Sequence, residues 1–138
     1  MTQEKQNRDE YGGREQSQQR SPDRELERFA FMTRLCSLCN KMCRHACPTH
    51  RETRSETCSP HGRALLAELL RTGAREATTP AAVKAIYQCT LCEACKEWCK
   101  QGHNLPHILE IAREKLANLN LTPQPLMEMA EKALRVLA

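Results

Sequence analysis

Aromatic side chains are scarce in this sequence, which has two Phe, two Tyr and one Trp among 138 residues. Proteins that bind single-stranded nucleic acids use aromatic rings as platforms on which bases stack. Basic residues outnumber acidic ones only modestly, giving a formal net charge of +4, and no basic run is interleaved with aromatics. The sequence therefore predicts no nucleic-acid partner.

Long apolar runs are also missing. The longest apolar-rich stretch, residues 64–70, is far shorter than the roughly 20 residues that a membrane-spanning helix needs. No apolar stretch of signal-peptide length follows the first residue. We therefore expect a cytoplasmic protein that does not insert into a membrane.

Large apolar side chains are few. Leu, Ile, Val and Phe together number 23, about 17% of the chain. A chain below about a fifth in these residues has difficulty offsetting its ordering entropy by apolar burial alone. Glycine-rich phosphate loops, nucleotide fingerprints and nucleophile–base pairs are not apparent either. We expect a bound group to supply part of the core, and no chemistry on a substrate in this chain.

Helix start signals recur along the chain, each a Ser, Thr or Asn placed shortly before a proline. They are Ser21 with Pro22, Ser59 with Pro60, Thr79 with Pro80, Asn104 with Pro106, and Thr122 with Pro123. Apolar residues at helical spacing follow each signal, and no segment alternates with period two. The predicted fold class is therefore all-α.

Composition divides the chain into three parts. Residues 1–22 are polar and lack a hydrophobic period, so we expect a disordered tail there. Residues 23–121 form the predicted helical domain, whose first helix runs from Pro22 to about Arg34. Residues 122–138 form a predicted amphipathic helix that packs on the domain or on a partner.

Cysteine is abundant, with nine residues. In a reducing compartment, clustered cysteines usually bind metal or carry out redox chemistry. The second cluster of cysteines has the spacing C-x2-C-x2-C-x3-C, which is typical of [4Fe–4S] sites, and consists of Cys89, Cys92, Cys95 and Cys99. The first has one extra residue and a following Pro48, and consists of Cys36, Cys39, Cys43 and Cys47. Two such runs predict two [4Fe–4S] clusters, and removal of the iron is expected to unfold residues 36–99.

The cysteines are also compatible with zinc binding or with disulfide bonds. Four-cysteine zinc sites, however, normally pair two C-x2-C units across a loop. A disulfide scaffold would need an oxidising compartment. Cys58, the ninth cysteine, is expected to be a buried inert thiol, or else to replace or supplement a ligand of the first run. The five histidines are expected at the surface or beside ligands.

The residues between and around the runs resemble a known family. The segment Ser59-Pro60-His61-Gly62-Arg63 resembles the Ser-Pro-Arg-Gly-Arg segment of the two-cluster iron–sulfur subunit of heterodisulfide reductase and of the iron–sulfur subunits of glycolate and lactate oxidases. Cys47-Pro48-Thr49 resembles the end of that family's first motif. The resemblance implies a helical ferredoxin-like domain wrapped around two clusters with crossed ligands. One set would be Cys36, Cys39, Cys43 and Cys99, and the other Cys89, Cys92, Cys95 and Cys47.

The function expected from these observations is electron transfer, with no catalytic residue. Two clusters would relay single electrons between a partner and another redox site. The resemblance implies a flavoprotein oxidoreductase or a heterodisulfide-reductase-B-like protein as the partner, and hence a hetero-oligomer. The alternative function is a zinc-binding or redox-sensing structural module. Basic residues in or beside the runs, namely Lys41, Arg44, Lys96 and Lys100, are candidates for stabilising anionic clusters.

Overall fold

Helices make up the regular structure of this protein, and the all-α prediction is confirmed. The computed structural model describes residues 21–39 and 43–137, and this part of the chain contains no strand. The α-helices are α1 (Pro22–Arg28), α2 (Ala30–Leu38), α3 (Pro48–Thr53), α4 (Pro60–Thr72), α5 (Pro80–Tyr87), α6 (Ala94–Glu97), α7 (Leu105–Asn118) and α8 (Gln124–Leu137). Short 3-10 turns cover Arg44–Ala46, Glu56–Cys58 and Arg75–Thr78. The predicted disordered tail falls almost wholly outside the described residues, and its last residue, Pro22, begins α1.

Three of the predicted start signals cap their helices through the side chain. The Ser59 hydroxyl accepts a hydrogen bond from the Gly62 amide at 3.0 Å, at the start of α4. Thr79 and Asn104 accept equivalent bonds at the starts of α5 and α7. Each of these helices also has proline in its first turn, where the missing N–H would have no intrahelical partner.

The predicted first helix is divided in two and runs further than expected. The break is at Phe29, and α2 then continues to Leu38, so that Cys36 lies on its last turn. The Thr33 hydroxyl lies within hydrogen-bond distance of the Phe29 and Ala30 carbonyls, which helps to hold the bend. The bend directs α1 against α7 and α2 along α4.

An apolar core lies among α1, α4, α5 and α7. Its largest fully buried side chains are Leu26, Leu70, Ile86, Ile108, Leu109 and Leu116. The same core cluster contains six buried alanines, namely Ala64, Ala67, Ala77, Ala82, Ala85 and Ala112. Cys36, Cys89 and Cys95 pack against this core and are only partly buried. An apolar core made of protein side chains therefore lies beside these cysteines.

Helix α8 stands apart from this core. It has an apolar face, yet none of its described side chains is buried, and Met129, Leu134 and Val136 are 65%, 67% and 85% exposed. Within the described residues, no helix combines the length and apolar character needed to cross a membrane.

Candidate metal centre

The second cysteine run begins in a tight loop ahead of α6 and continues through that helix to Cys99. Leu91 and Glu93 both adopt left-handed backbone angles, with φ of 54° and 60°. Residues with side chains rarely take this conformation, and here it reverses the chain twice between neighbouring cysteines. As a result Cys89, Cys92 and Cys95 all line one cavity. Cys47 of the first run lines the same cavity, which we call the second cavity.

The first cysteine run surrounds a different cavity, which we call the first cavity. Cys36 comes from the last turn of α2, Cys39 follows that helix, and Cys43 precedes the turn Arg44–Ala46. Cys99 of the second run completes the set of four cysteines that line this cavity. The sulfur of Cys99 also accepts a hydrogen bond from the His103 amide at 3.4 Å. Each cavity thus draws three cysteines from one run and one from the other.

The two cavities are neighbours. Electrostatic repulsion from Cys43, in the first cavity, contributes to the raised pKa of Cys95 in the second. The segments that carry them also touch, because the rings of His45 and Trp98 pack edge to face with 4.7 Å between their centroids. Trp98 remains 55% exposed, so it does not act as a buried shield over Cys99.

Burial disfavours the thiolate form of Cys36, Cys43 and Cys95. Burial, and then the neighbouring cysteines, raise the pKa of Cys36 to about 12 and that of Cys95 to about 12. Burial likewise raises the pKa of Cys43. A metal centre must therefore displace protons from these sulfurs, so that its binding is favoured as pH rises.

Cys92 is the exception. The backbone N–H of Ala94 and then the Thr90 side chain lower its pKa by hydrogen bonding. Hydrogen bonds to the charged form of a thiol favour the thiolate. Cys92 is also exposed, so solvent reaches this thiol directly.

Arg63 is the cation that sequence reasoning missed. Its side chain is only 1% exposed, and it lines the second cavity together with four cysteines. Nε donates to the Ala85 carbonyl at 2.8 Å, and Nη1 donates to the Cys47 sulfur at 3.6 Å. Nη2 is buried and has no hydrogen-bond partner among the described residues. The resemblance singled out the segment that contains Arg63, but nothing in the sequence showed that this charge is buried.

The residues around both cavities fit an iron–sulfur cluster. Each cavity offers four thiols, and soft thiolates select iron–sulfur clusters, zinc or copper(I) over harder cations. A buried guanidinium with an unused N–H group suits an anionic neighbour such as a thiolate-ligated cluster. In the first cavity, His61 likewise has a buried Nδ1 without a hydrogen-bond partner in the described part of the chain.

The remaining described candidate residues do not line either cavity. Cys58 is buried, as expected, and its thiol donates to Gln88 Oε1 at 3.3 Å outside both sets of lining residues. Arg44 is paired with Glu56 and His50, and Lys96 with Glu93. Lys41 falls outside the described residues.

A single bound ion would need a closer arrangement of ligands. Across residues 21–39 and 43–137, no three His, Cys, Asp or Glu side chains converge closely enough to hold one metal ion. The four cysteines that line each cavity would instead hold a cluster of several irons.

Comparison with known proteins agrees with this geometry. The family model described as "4Fe-4S dicluster domain" matches residues 15–104, which include all nine cysteines and α1 to α6. Neither the curated proteins nor the solved structures include a match to this chain. The family match supports [4Fe–4S] clusters, two in number, and an iron–sulfur electron-transfer role. This chain belongs to the 4Fe-4S dicluster domain family.

Proposed function

We propose that this protein is a non-catalytic electron-transfer subunit that relays single electrons through two [4Fe–4S] clusters, from a partner to another redox site. The observation that carries the proposal is the pair of adjoining cavities, each lined by four cysteines drawn from both runs. When bound, each cluster supplies a site that gains or loses one electron at a time. The chain's own part is to hold the clusters, set their surroundings and present them to partners.

The proposed ligands follow the two cavities. One cluster would be held by Cys36, Cys39, Cys43 and Cys99. The other would be held by Cys47, Cys89, Cys92 and Cys95. The same crossed sets are implied by the resemblance to the two-cluster iron–sulfur subunit of heterodisulfide reductase, which therefore supports this assignment.

Partner docking is proposed at the first cavity. Cys39 is exposed there, and the apolar side chains of Leu35 and Leu38, which also line this cavity, are 39% and 84% exposed. Phe31, on the same helix, is 71% exposed. Apolar surface next to a redox site suits a protein partner that must approach closely. By resemblance, that partner is a flavoprotein oxidoreductase or a heterodisulfide-reductase-B-like protein in a cytoplasmic hetero-oligomer.

Metal analysis of anaerobically purified protein tests the cluster content. We expect a brown protein with about eight irons per chain, and an electron paramagnetic resonance signal after chemical reduction. A colourless protein with one or two zincs and no iron would instead support the zinc-binding alternative.

A pair of cysteine variants tests the ligand assignment. Cys92→Ser should lose about half of the bound iron, because one of the two proposed sites lacks a ligand. Cys58→Ser is the matched control, since its thiol contacts Gln88 and lies outside both cavities. Full iron retention in Cys92→Ser, or loss of one cluster in Cys58→Ser, would contradict the assignment.

A further inference from the structure

The first turn of α4 separates the two cavities and presents a different side chain to each. His61 lines the first cavity and Arg63 lines the second. Residues two apart on an α-helix point in roughly opposite directions, which explains how one turn serves both cavities. Both side chains have a buried polar atom that finds no partner in the described structure.

The two side chains differ in charge. A guanidinium stays protonated in proteins, so Arg63 brings a permanent positive charge into the second cavity. Among the described residues, no carboxylate forms an ion pair with it, and its contacts are the Ala85 carbonyl and the Cys47 sulfur. Glu93 also lines this cavity, but it is half exposed and paired with Lys96.

Among the described residues that line the first cavity, there is no such cation. Its described lining residues are Leu35, Cys36, Leu38, Cys39, Cys43, His61, Cys99, Gln101 and His103. None of these is a Lys or an Arg. The described lining residues of the two cavities therefore differ in charge.

Reduction adds one negative charge to a cluster. A buried cation that donates a hydrogen bond to a ligand sulfur stabilises this added charge, and burial strengthens the effect because little water screens it. We propose that Arg63 is a positioning residue that raises the reduction potential of the cluster held by Cys47, Cys89, Cys92 and Cys95 above that of its neighbour. This inference rests on the proposed function. It implies that an electron entering at the cluster of the first cavity is transferred to the cluster of the second cavity and remains on it, because that cluster has the higher reduction potential.

Redox titration monitored by electron paramagnetic resonance tests the proposal on the cluster-loaded full chain. In Arg63→Gln, the ratio of reduced to oxidised cluster at a fixed potential should fall at least tenfold for one cluster, which corresponds to about 59 mV for a one-electron couple. The other cluster should change much less. Arg63→Lys keeps the charge and should recover a large part of the shift. Arg51→Gln, which removes an exposed arginine, is the matched control and should shift neither cluster.

Three results would overturn the proposal. One is Arg63→Gln protein that holds both clusters at unchanged potentials. Another is an equal shift in Arg63→Gln and Arg63→Lys, which would indicate altered side-chain contacts and not charge. The third is an equal shift of both clusters.

If the Arg63→Gln protein loses iron, its potentials cannot be compared with those of the wild type. The proposal is then tested by redox titration of proteins that keep Arg63. The wild-type protein should titrate in two separate steps, and Cys92→Ser should remove the step at higher potential. Removal of the lower step would overturn the proposal. Wild-type iron content is measured first, so that a failure of the two-cluster function is distinguished from a failure of the role of Arg63.

Discussion

Gly62 shows how one residue controls the approach of two segments. A Cβ atom at this position would lie 2.2 Å from the Glu56 carbonyl oxygen and 2.9 Å from the Thr57 Cα. Both are backbone atoms of the turn Glu56–Cys58, so they cannot move aside as a flexible side chain would. Glycine therefore lets the start of α4 pack directly on this turn, which holds Arg63 at the second cavity.

Gly62→Ala should lower the free energy of unfolding by about 1–3 kcal/mol, as expected for overpacking in a tight site. It should also reduce iron retention, because the displaced α4 carries Arg63 and His61. The matched variant Gly73→Ala faces open space but has φ of +77°. It should cost about 1 kcal/mol and leave the iron content unchanged. Chemical denaturation followed by circular dichroism measures the free energy of unfolding of each variant, and iron analysis measures its iron content per chain. Equal iron contents in Gly62→Ala and Gly73→Ala would contradict the expected effect of Gly62→Ala on the cavities.

At the scale of helices, Glu68 joins α2 to α4. Its carboxylate accepts hydrogen bonds from the Arg34 side chain at 2.8 Å and the Thr33 hydroxyl at 3.0 Å. Arg71 donates to the same carboxylate and pairs also with Glu27 on α1. Hydrogen bonding from Arg71, followed by that from Arg34 and Thr33, lowers the pKa of Glu68 to about 2 against the opposing effect of burial.

A lowered carboxyl pKa stabilises the folded state above the ordinary value near 4.5, and this stabilisation is lost as pH falls toward 2. Glu68→Gln should therefore lower the free energy of unfolding by about 1–3 kcal/mol at pH 7. The difference from wild type should shrink as pH falls below about 4.5. Glu110→Gln removes an exposed carboxylate and should have little effect at any pH. Denaturation midpoints of the wild type, Glu68→Gln and Glu110→Gln, measured between pH 7 and pH 3, test this pH dependence. A stability difference between wild type and Glu68→Gln that grows on acidification would contradict the proposed role of the Glu68 carboxylate.

Helix α8 is the element that adds least to the fold. None of its described residues is buried, so removing the chain from Gln124 onward should change the free energy of unfolding by less than about 0.5 kcal/mol and leave the iron content intact. Iron analysis and thermal denaturation of the shortened protein test this. Loss of iron would show that α8 supports the cavities.

At the scale of the whole molecule, the apolar core and the cysteine cavities adjoin each other but are built largely from different segments. The core lies mainly on α1, α4, α5 and α7, whereas the cysteines lie mostly on the loops and turns beside it. The sequence-based expectation was that iron removal unfolds all of residues 36–99. The structure favours a narrower response, because α4 and α5 belong to the apolar core.

Chelation of the iron under anaerobic conditions should expose residues 36–47 and 89–103 while α4 and α7 keep much of their protection. Hydrogen exchange followed by mass spectrometry, before and after chelation, measures this segment by segment. Uniform loss of protection across α4, α7 and the cysteine loops would show that the clusters hold the entire fold together.

The sequence predicted those features that depend on local chemistry. Proline after a capping residue located the starts of α4 and α5, and cysteine spacing indicated [4Fe–4S] sites. Features that depend on tertiary contacts were missed. Counting only large apolar residues overlooked the buried alanines, which let helices approach closely, and Arg63 looked like an ordinary surface cation. The break at Phe29 lets α1 pack on α7 and α2 pack on α4. No local sequence pattern indicates these tertiary contacts.

Each cavity takes cysteines from both runs, and this has a consequence for synthesis on the ribosome. With the proposed ligands, the second cavity lacks a complete set of four cysteines until Cys95 has been made, and the first lacks one until Cys99 has been made. Corresponding cysteines of the two runs lie about 50 residues apart in the sequence. At roughly 5–20 residues per second, the thiols of the first run therefore wait several seconds for their partners. During that interval they are open to oxidation and to the wrong metal. Iron delivery must therefore follow translation of the second run, and a nascent chain that stops before Cys89 can complete neither site.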